Sequence, residues 1–385
     1  MQPDELARYS RQIILPQIGL EGQERLHEAR VLLIGMGGLG SPAALYLAAA
    51  GVGTLGLADF DTVAAHNLQR QVLHDDARVG SPKTESARAR LLALNPRLQL
   101  EIEPRGVQTD NAVSLFSQYD VIVDGTDNFP TRYLNNDAAF LAQRPLVYGS
   151  VFQFEGQVSV FHPAGGGPCY RCLFPTMPEP GTVPNCEEAG VFGALCGVIG
   201  SWQAMEAIKL LTGAGTSLRG RLQILDALHG ETRAIRLKPD PECPLCGAAP
   251  TIRGIEASNY EWQCAPEAAA SENMSIFGRS KGVKEISVQE AAAAMQRGAL
   301  LLDVREDYEH AIAQVPGSRL LPMGRVPEAV EALPKDQPIL CLCHHGVRSL
   351  RVAKYLQSAG FAEVANVAGG IDQWAVHVDP SLQRY

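Results

Sequence analysis

The stretch VLLIGMGGLGSPAALYLAAAG, from Val31 to Gly51, limits what this chain can become more than any other. A short apolar run, Val31 to Ile34, ends in a glycine loop that leads at once into an alanine- and leucine-rich segment. Gly35, Gly37 and Gly40 fit G-x-G-x-x-G between a strand and a helix. Without side chains there, backbone amides and a helix N-terminus can approach phosphate oxygens closely. Ser41 and Pro42 suit the N-cap and first position of that helix. Asp59 closes the next apolar run, about twenty residues on, where an acid can hold ribose hydroxyls. Taken alone, these features describe a NAD-dependent Rossmann oxidoreductase.

The alternation continues. Apolar runs at Leu55 to Ala58, Leu98 to Ile102, Val121 to Val123 and Leu146 to Tyr148 are separated by helical stretches, which implies a doubly wound, mainly parallel sheet. Gly156 to His162, Leu222 to Leu225 and Thr232 to Leu237 are expected to extend it, with a helix near Val198 to Leu211 between them. From 251 to 274 the period collapses into small and polar residues, so a linker is expected there, separating a domain of residues 1–250 from one of 275–385. In the latter a helix over Val288 to Arg297, strands LLLDV and ILCLC, a helix from Ser349 and a strand at Val364 to Val367 form a smaller α/β unit. A length of 385 residues exceeds what one hydrophobic core usually organises.

A net charge of −9 opposes attraction to nucleic acid or anionic membranes, so neither is expected as a partner. The start, MQPDELARYSRQ, lacks the basic end and apolar run of a signal peptide, which predicts a cytoplasmic location. In that compartment nine cysteines point to metal or catalysis rather than disulfides. Cys169 and Cys172 in GPCYRC, with Cys243 and Cys246 in PECPLC, form two C-x-x-C knuckles, the ligand set of a closed, structural Zn2+ site. A thioredoxin-like redox pair is not expected, because neither knuckle opens a helix after a strand. Cys196 and Cys341 read as core, and Cys264 falls in the linker.

Residues beyond the glycine loop turn the nucleotide reading away from hydride transfer. DFDTVAAHNLQRQ carries Asn67, Arg70 and Gln71, Lys83 follows in SPKTE, and Asp127 and Asn128 follow the apolar run in VIVDGTDN. Two cations and an acid near a strand's C-terminal end can neutralise a triphosphate and hold Mg2+. With RYSRQIILPQIG, GMGGLGSP, DGTDNFPTRY, FEGQVSVF and PCYRCLFP, these segments resemble the ubiquitin-activating superfamily from about Arg8 to Gly247. Within that superfamily they resemble the bacterial adenylyltransferases of molybdopterin and thiamine synthesis. The resemblance implies that Gly38 and Asp59 contact ATP and that Asn67, Arg70 and Lys83 bind or position its phosphates. It further implies that Asp127 holds Mg2+ and that Arg11 reaches the nucleotide of a second protomer in a homodimer. Cys186, in TVPNCEEAGVFG, stands where related enzymes carry a cysteine that forms a thioester or an acyl disulfide.

The motifs LLDVRE, VPGS, CHHGVRS and VAGGIDQW, in that order, resemble a rhodanese domain across Ser275 to Tyr385. Cys343 ends an apolar strand, and its loop leads into a helix whose amides and dipole favour a thiolate or persulfide, with Arg348 adding positive charge. Only His344, His345, Gly346 and Val347 separate Cys343 from Arg348. That ring is one residue tighter than the loop with which a dual-specificity phosphatase encircles phosphate. Asp303 and Arg305 are expected in structural ion pairs, and His344 and His345 either tune the cysteine or face solvent.

Joined, the two halves imply adenylation of the Gly-Gly terminus of a small ubiquitin-like sulfur-carrier protein. Sulfur from a Cys343 persulfide, charged by a cysteine desulfurase or by thiosulfate, would then give a thiocarboxylate. Molybdopterin synthesis is the expected setting, with thiamine synthesis or tRNA thiolation as alternatives. A modifier-activating enzyme without sulfur transfer would leave the second domain unexplained, and a non-catalytic scaffold would leave the glycine loop and Cys343 unexplained.

Overall fold

The computed structural model describes residues 2–178, 190–260 and 283–384. The chain divides into two units, Met1–Pro266 and Glu267–Tyr385. Cys186 and Cys264 lie outside the described residues.

The first unit is built on β1 (Arg30–Ile34), β2 (Thr54–Ala58), β3 (Gln99–Glu103), β4 (Val121–Asp124), β5 (Leu146–Phe152), β6 (Glu155–Phe161), β7 (Arg221–Asp226) and β8 (Glu231–Arg236). They form one sheet in the order β3-β2-β1-β4-β5-β6-β7-β8. β3 through β5 in that order run parallel, and β6 to β8 are antiparallel additions. Both faces of the central strands are covered. Val31, Leu33, Leu55 and Leu57 enter one apolar cluster, while Leu32, Ile34 and Ile122 enter the other. Burial on both sides is the reason these strands read as continuous apolar runs in the sequence. The expected doubly wound sheet is therefore present.

The order reverses between β1 and β4, and the crevice at such a point is where ligands settle in open α/β sheets. The helix Gly40–Ala50 starts at the end of the glycine loop and packs on the helix Gly193–Thr212. A side chain at Gly200 would come within 2.2 Å of the Leu39 carbonyl oxygen, so the close approach of the two helices depends on that glycine. The expected N-cap at Ser41 is corrected: Leu39 occupies the N-cap, and Ser41 lies inside the first turn with a buried, unpaired Oγ. The glycine loop turns so tightly that the helix begins before the serine. The expected linker is corrected at its start as well. Residues 251–260 remain with the first unit, because the Tyr260 ring is buried in the cluster holding Tyr133 and Tyr170 and its hydroxyl donates to Asp137.

The second unit has a parallel five-stranded sheet in the order β11-β10-β12-β13-β9. Its strands are β9 (Lys284–Ile286), β10 (Leu300–Asp303), β11 (Arg319–Leu320), β12 (Ile339–Leu342) and β13 (Val364–Val367). β9 and β11 are too short to register as apolar periods, which is why the sequence reading omitted them. Apolar clusters again cover both faces.

Candidate functional site

A cleft of about 920 Å3, counting the solvent at its mouth, opens at the C-terminal ends of β1, β2 and β4. Its volume lies within the roughly 300–1,000 Å3 of small-molecule sites. Gly35, at φ +83°, makes the turn out of β1, and its amide donates to the Ala58 carbonyl at the end of β2. A Cβ on Gly40 would lie 1.8 Å from the Gly35 carbonyl oxygen, so the loop closes only with glycine there. Met36 is pinned from two sides. Its amide donates to Asp59 Oδ2 at 2.6 Å, and its carbonyl accepts from His74 Nε2 at 2.8 Å.

Gly38, Asp59, Arg70, Gln71, Lys83, Asp127 and Asn128 all line this cleft. Lys83 opens the helix Lys83–Leu94 and, buried to its ammonium, donates to Asp61 Oδ2 at 2.9 Å. Gln71 Oε1 is buried without a partner, a spare acceptor beside the glycine loop. Burial pushes the Asp59 carboxyl above its ordinary pKa, opposed by hydrogen bonds from Asp61 and Met36 amides and by Lys83. Asn128 is also the N-cap of the helix Phe129–Leu141, accepting from the Thr131 amide at 3.0 Å. Two expected nucleotide residues are not brought to the cleft in this chain. Asn67 is buried and turns its Oδ1 to the Ala64 amide, and Arg11 is exposed in the last turn of the helix Pro3–Ile13.

The sequence reading missed Asp124, Thr126 and Arg132. Asp124 Oδ1 accepts from both the amide and the hydroxyl of Thr126, at 2.9 and 2.7 Å. Arg132 donates twice to the Thr126 carbonyl, at 3.2 and 2.9 Å, and once to Ser150 Oγ at 2.9 Å. Thr126 is thus held from both ends, which fixes the backbone that carries Asp127. The available signal was Arg132 one turn beyond an Asn-x-Pro helix start in DGTDNFPTRY. Cys196, read as core, is buried but also lines the cleft, 3.0 Å from where a Gly38 Cβ would stand.

The four cysteines of the knuckles converge. Their sulfur atoms all lie within 4.8 Å of one another, with separations of 3.8, 3.5 and 3.4 Å along Cys169–Cys172, Cys169–Cys243 and Cys172–Cys246. Tetrahedral thiolates about 2.3 Å from a zinc ion stand about 3.8 Å apart, so the donor set fits such an ion. Cys169 is the N-cap of the one-turn helix Tyr170–Leu173, which follows the 3-10 turn Pro163–Gly165 and not a strand. That helix brings Cys172 within reach of its partners.

In the second unit Cys343 follows β12 and is buried, with its sulfur under the N-terminus of the helix Val347–Ser358. The Gly346 amide approaches Sγ at 3.1 Å and Ser349 Oγ at 3.3 Å. Gly346, at φ +99°, is the helix N-cap, where only glycine turns the loop without strain. The double glycine of VAGGIDQW has a packing role: a Cβ on Gly370 would lie 2.2 Å from the His344 carbonyl oxygen. Asp303 and Arg305 form the expected ion pair, wholly buried, at 2.5 Å. Arg348 does not point free charge at the sulfur, because it pairs with both oxygens of Glu309 at 2.7 and 2.6 Å. His344 is stacked on His345, and burial pulls its pKa down to about 4, leaving it neutral near pH 7.

Comparison with known proteins agrees with this architecture. Residues 9–245 match the model of the ThiF family, and residues 287–377 match the rhodanese-like domain. The probable adenylyltransferase/sulfurtransferase MoeZ of Mycobacterium tuberculosis is 44% identical over 392 residues, covering 99% of this chain and 96% of that protein. The adenylyltransferase and sulfurtransferase MOCS3 of Mus musculus is 41% identical over 408 residues, covering 99% and 88%. Among solved structures, Escherichia coli MccB with ATP shares the first unit's fold at a TM-score of 0.54 and 23% identity, over 62% of this chain and 74% of that one. With its glycine-loop cleft, converging four-cysteine cluster and rhodanese loop in one polypeptide, the chain belongs to the ThiF family, as an adenylyltransferase and sulfurtransferase.

Proposed function

We propose that the cleft adenylates the C-terminal glycine of a small ubiquitin-like sulfur carrier in molybdopterin synthesis and that Cys343 then supplies sulfur. The observation that carries the reading is the meeting of Asp59, Arg70, Gln71, Lys83 and Asp127 in one cleft at the β1/β4 reversal. Asp59 would hold the ribose, Arg70 and Lys83 the phosphates, and Asp127 a Mg2+ ion, which would supply charge to the leaving pyrophosphate. The carrier carboxylate attacks the α-phosphorus, pyrophosphate departs, and an acyl-adenylate results. The terminal sulfur of a Cys343 persulfide attacks its carbonyl carbon and AMP leaves. Attack of a second thiol on Cys343 Sγ, for which Cys186 is the candidate, frees the thiocarboxylate and leaves a disulfide. The four knuckle cysteines are read as a structural Zn2+ site, because a closed tetrathiolate leaves no open position for substrate. Such a site needs reduced thiols, which supports a cytoplasmic setting. No helix among the described residues is long and apolar enough to cross a membrane. Arg11 is exposed and does not line its own cleft, which is compatible with the expected role toward a second protomer in a homodimer.

The test combines the chain with a Gly-Gly carrier, Mg-ATP and a sulfur donor, and follows labelled pyrophosphate exchange into ATP together with carrier mass. The expected results are carrier-dependent exchange and a mass gain equal to sulfur replacing oxygen. Absence of exchange with any such carrier refutes the proposal.

A further inference from the structure

A line of hydrogen bonds joins Cys343 to the edge of its sheet. Strand register sets Asn366 of β13 beside Cys341 of β12 and beside Glu285 of β9. Partners in neighbouring strands share a face, and so do residues two apart on one strand, which places Cys343 on that side as well. The helix Val347–Ser358 packs on this face and carries Ser349 in its first turn. Asn366 Nδ2 donates to Glu285 Oε1 at 3.1 Å, and Asn366 Oδ1 lies 2.7 Å from Ser349 Oγ. The same Ser349 Oγ stands 3.3 Å from Cys343 Sγ. Cys343, Ser349 and Asn366 are buried and Glu285 is exposed, so the line runs from solvent to the sulfur.

Each link dictates the next. A carboxylate only accepts, so Glu285 holds the amide nitrogen of Asn366 toward itself and turns the amide oxygen to Ser349. That oxygen also only accepts, and a serine hydroxyl has a single proton to give. While Cys343 is a thiol, the proton goes to Asn366, and the sulfur faces the lone pairs of Ser349 Oγ, to which its own S–H donates. A thiolate or persulfide anion needs the serine proton for itself, and taking it leaves Asn366 Oδ1 buried without a donor, a costly state. Turning the amide over would spare that cost but set its oxygen against the Glu285 carboxylate. We propose that Glu285, Asn366 and Ser349 form a relay that biases Cys343 toward its protonated form, so that the orientation of one amide decides how readily the sulfur becomes an anion. The inference builds on the sulfur-carrying role of Cys343 above. All three are positioning residues and take no part in bond making.

The test follows modification of Cys343 in the full chain by methyl methanethiosulfonate across pH, read from the mass of the Cys343 peptide. The thiolate bonds to the methylthio sulfur, the S–S bond of the reagent breaks, and methanesulfinate leaves with its electron pair, so the rate follows the anionic fraction. In Glu285→Gln the amide is free to turn and Ser349 to aim its proton at the sulfur. The rate at neutral pH should rise about three-fold or more, with the whole profile moved to lower pH. The other groups around the sulfur are the same in both proteins. They are Arg348 with Glu309, Arg305 with Asp303, His345 beside Asp372, His344 with its pKa held down to about 4, and the Cys341 thiol, which burial pushes up to about 12. Loss of a negative charge can also act directly through space, and two measurements separate the causes. A relay needs the hydroxyl, so Glu285→Gln should change nothing when added to Ser349→Ala. A relay also persists at 1 M salt, where the Debye length is about 3 Å, whereas the field of an exposed carboxylate is screened. The inference is overturned by an unmoved profile in Glu285→Gln, by the same shift without the Ser349 hydroxyl, or by a shift that salt removes. No carrier or sulfur donor enters the assay. Its failure therefore leaves the sulfur-transfer reading standing, and failure of carrier thiocarboxylation leaves the relay standing.

Discussion

Replacing Asp303 with Ala should unfold the second unit at temperatures where the first stays intact. Arg305 is its largest fully buried side chain. Its Nε and Nη2 donate to Asp303 at 2.9 and 2.5 Å, and the rest of the guanidinium reaches the Glu309 and Ala313 carbonyls at 3.3 and 2.8 Å. Deleting the carboxylate removes the buried cation's ion-pair partner and leaves it the Glu309 and Ala313 carbonyls and the charge of the Glu309 carboxylate. Breaking one side of such a pair costs about 3–5 kcal/mol, a large share of the roughly 5–15 kcal/mol that holds a domain together. At about 4 °C or more per kcal/mol for a domain of roughly 100 residues, the second unit's midpoint should fall by at least about 12 °C. The exposed pair Arg325–Asp307, at 3.4 Å with exposures of 66% and 65%, provides the contrast. Asp307→Ala there should cost no more than about 1 kcal/mol. Calorimetry of the full chain, with each transition assigned by ATP stabilisation of the first unit, reads both variants. An Asp303→Ala shift no larger than that of Asp307→Ala refutes the reasoning.

Three further outcomes are expected. Lys83→Met should reduce pyrophosphate exchange about 100-fold or more, because a preorganised cation in a water-poor site is lost, while circular dichroism stays unchanged since the Asp61 left behind is half exposed. Cys243→Ser should lower metal content measured by mass spectrometry and the melting temperature of the first unit, yet leave persulfide formation on Cys343 intact. Raised by burial, the pKa of Asp59 gives a pH signature of known sign. Its contribution to stability is present below the unfolded value and is lost as pH rises through the folded one, so Asp59→Asn should be more stable than wild type at neutral pH. ATP affinity should run the other way, weakening as pH falls through that raised value, and calorimetric titration of the Asn variant should show the limb gone.

Much of the cleft's lining was legible because its residues lie in short segments whose local geometry is encoded locally. The glycine loop must turn where Gly35 and Gly40 sit, and Asp59, Lys83 and Asp127 each stand at the end of a strand or the start of a helix. Asn67 turns its side-chain oxygen to a backbone amide three residues away, a competition that composition does not reveal. Asp124 and Arg132 were missed because their value lies in gripping one carbonyl and one hydroxyl, a relation between side chains that carries no period.

The sequence by itself determined the two α/β units, the glycine loop, the two cysteine knuckles and the cysteine loop, since hydrophobic period, glycine placement and ligand spacing are properties of neighbouring residues. Only the tertiary structure decided that Cys169 and Cys172 meet Cys243 and Cys246, about seventy residues away, and that Tyr260 belongs to the first unit. It alone revealed that Arg348 spends its charge on Glu309, thirty-nine positions earlier. Charge cancellation acts through distance in space, and the sequence separation of two groups does not report that distance.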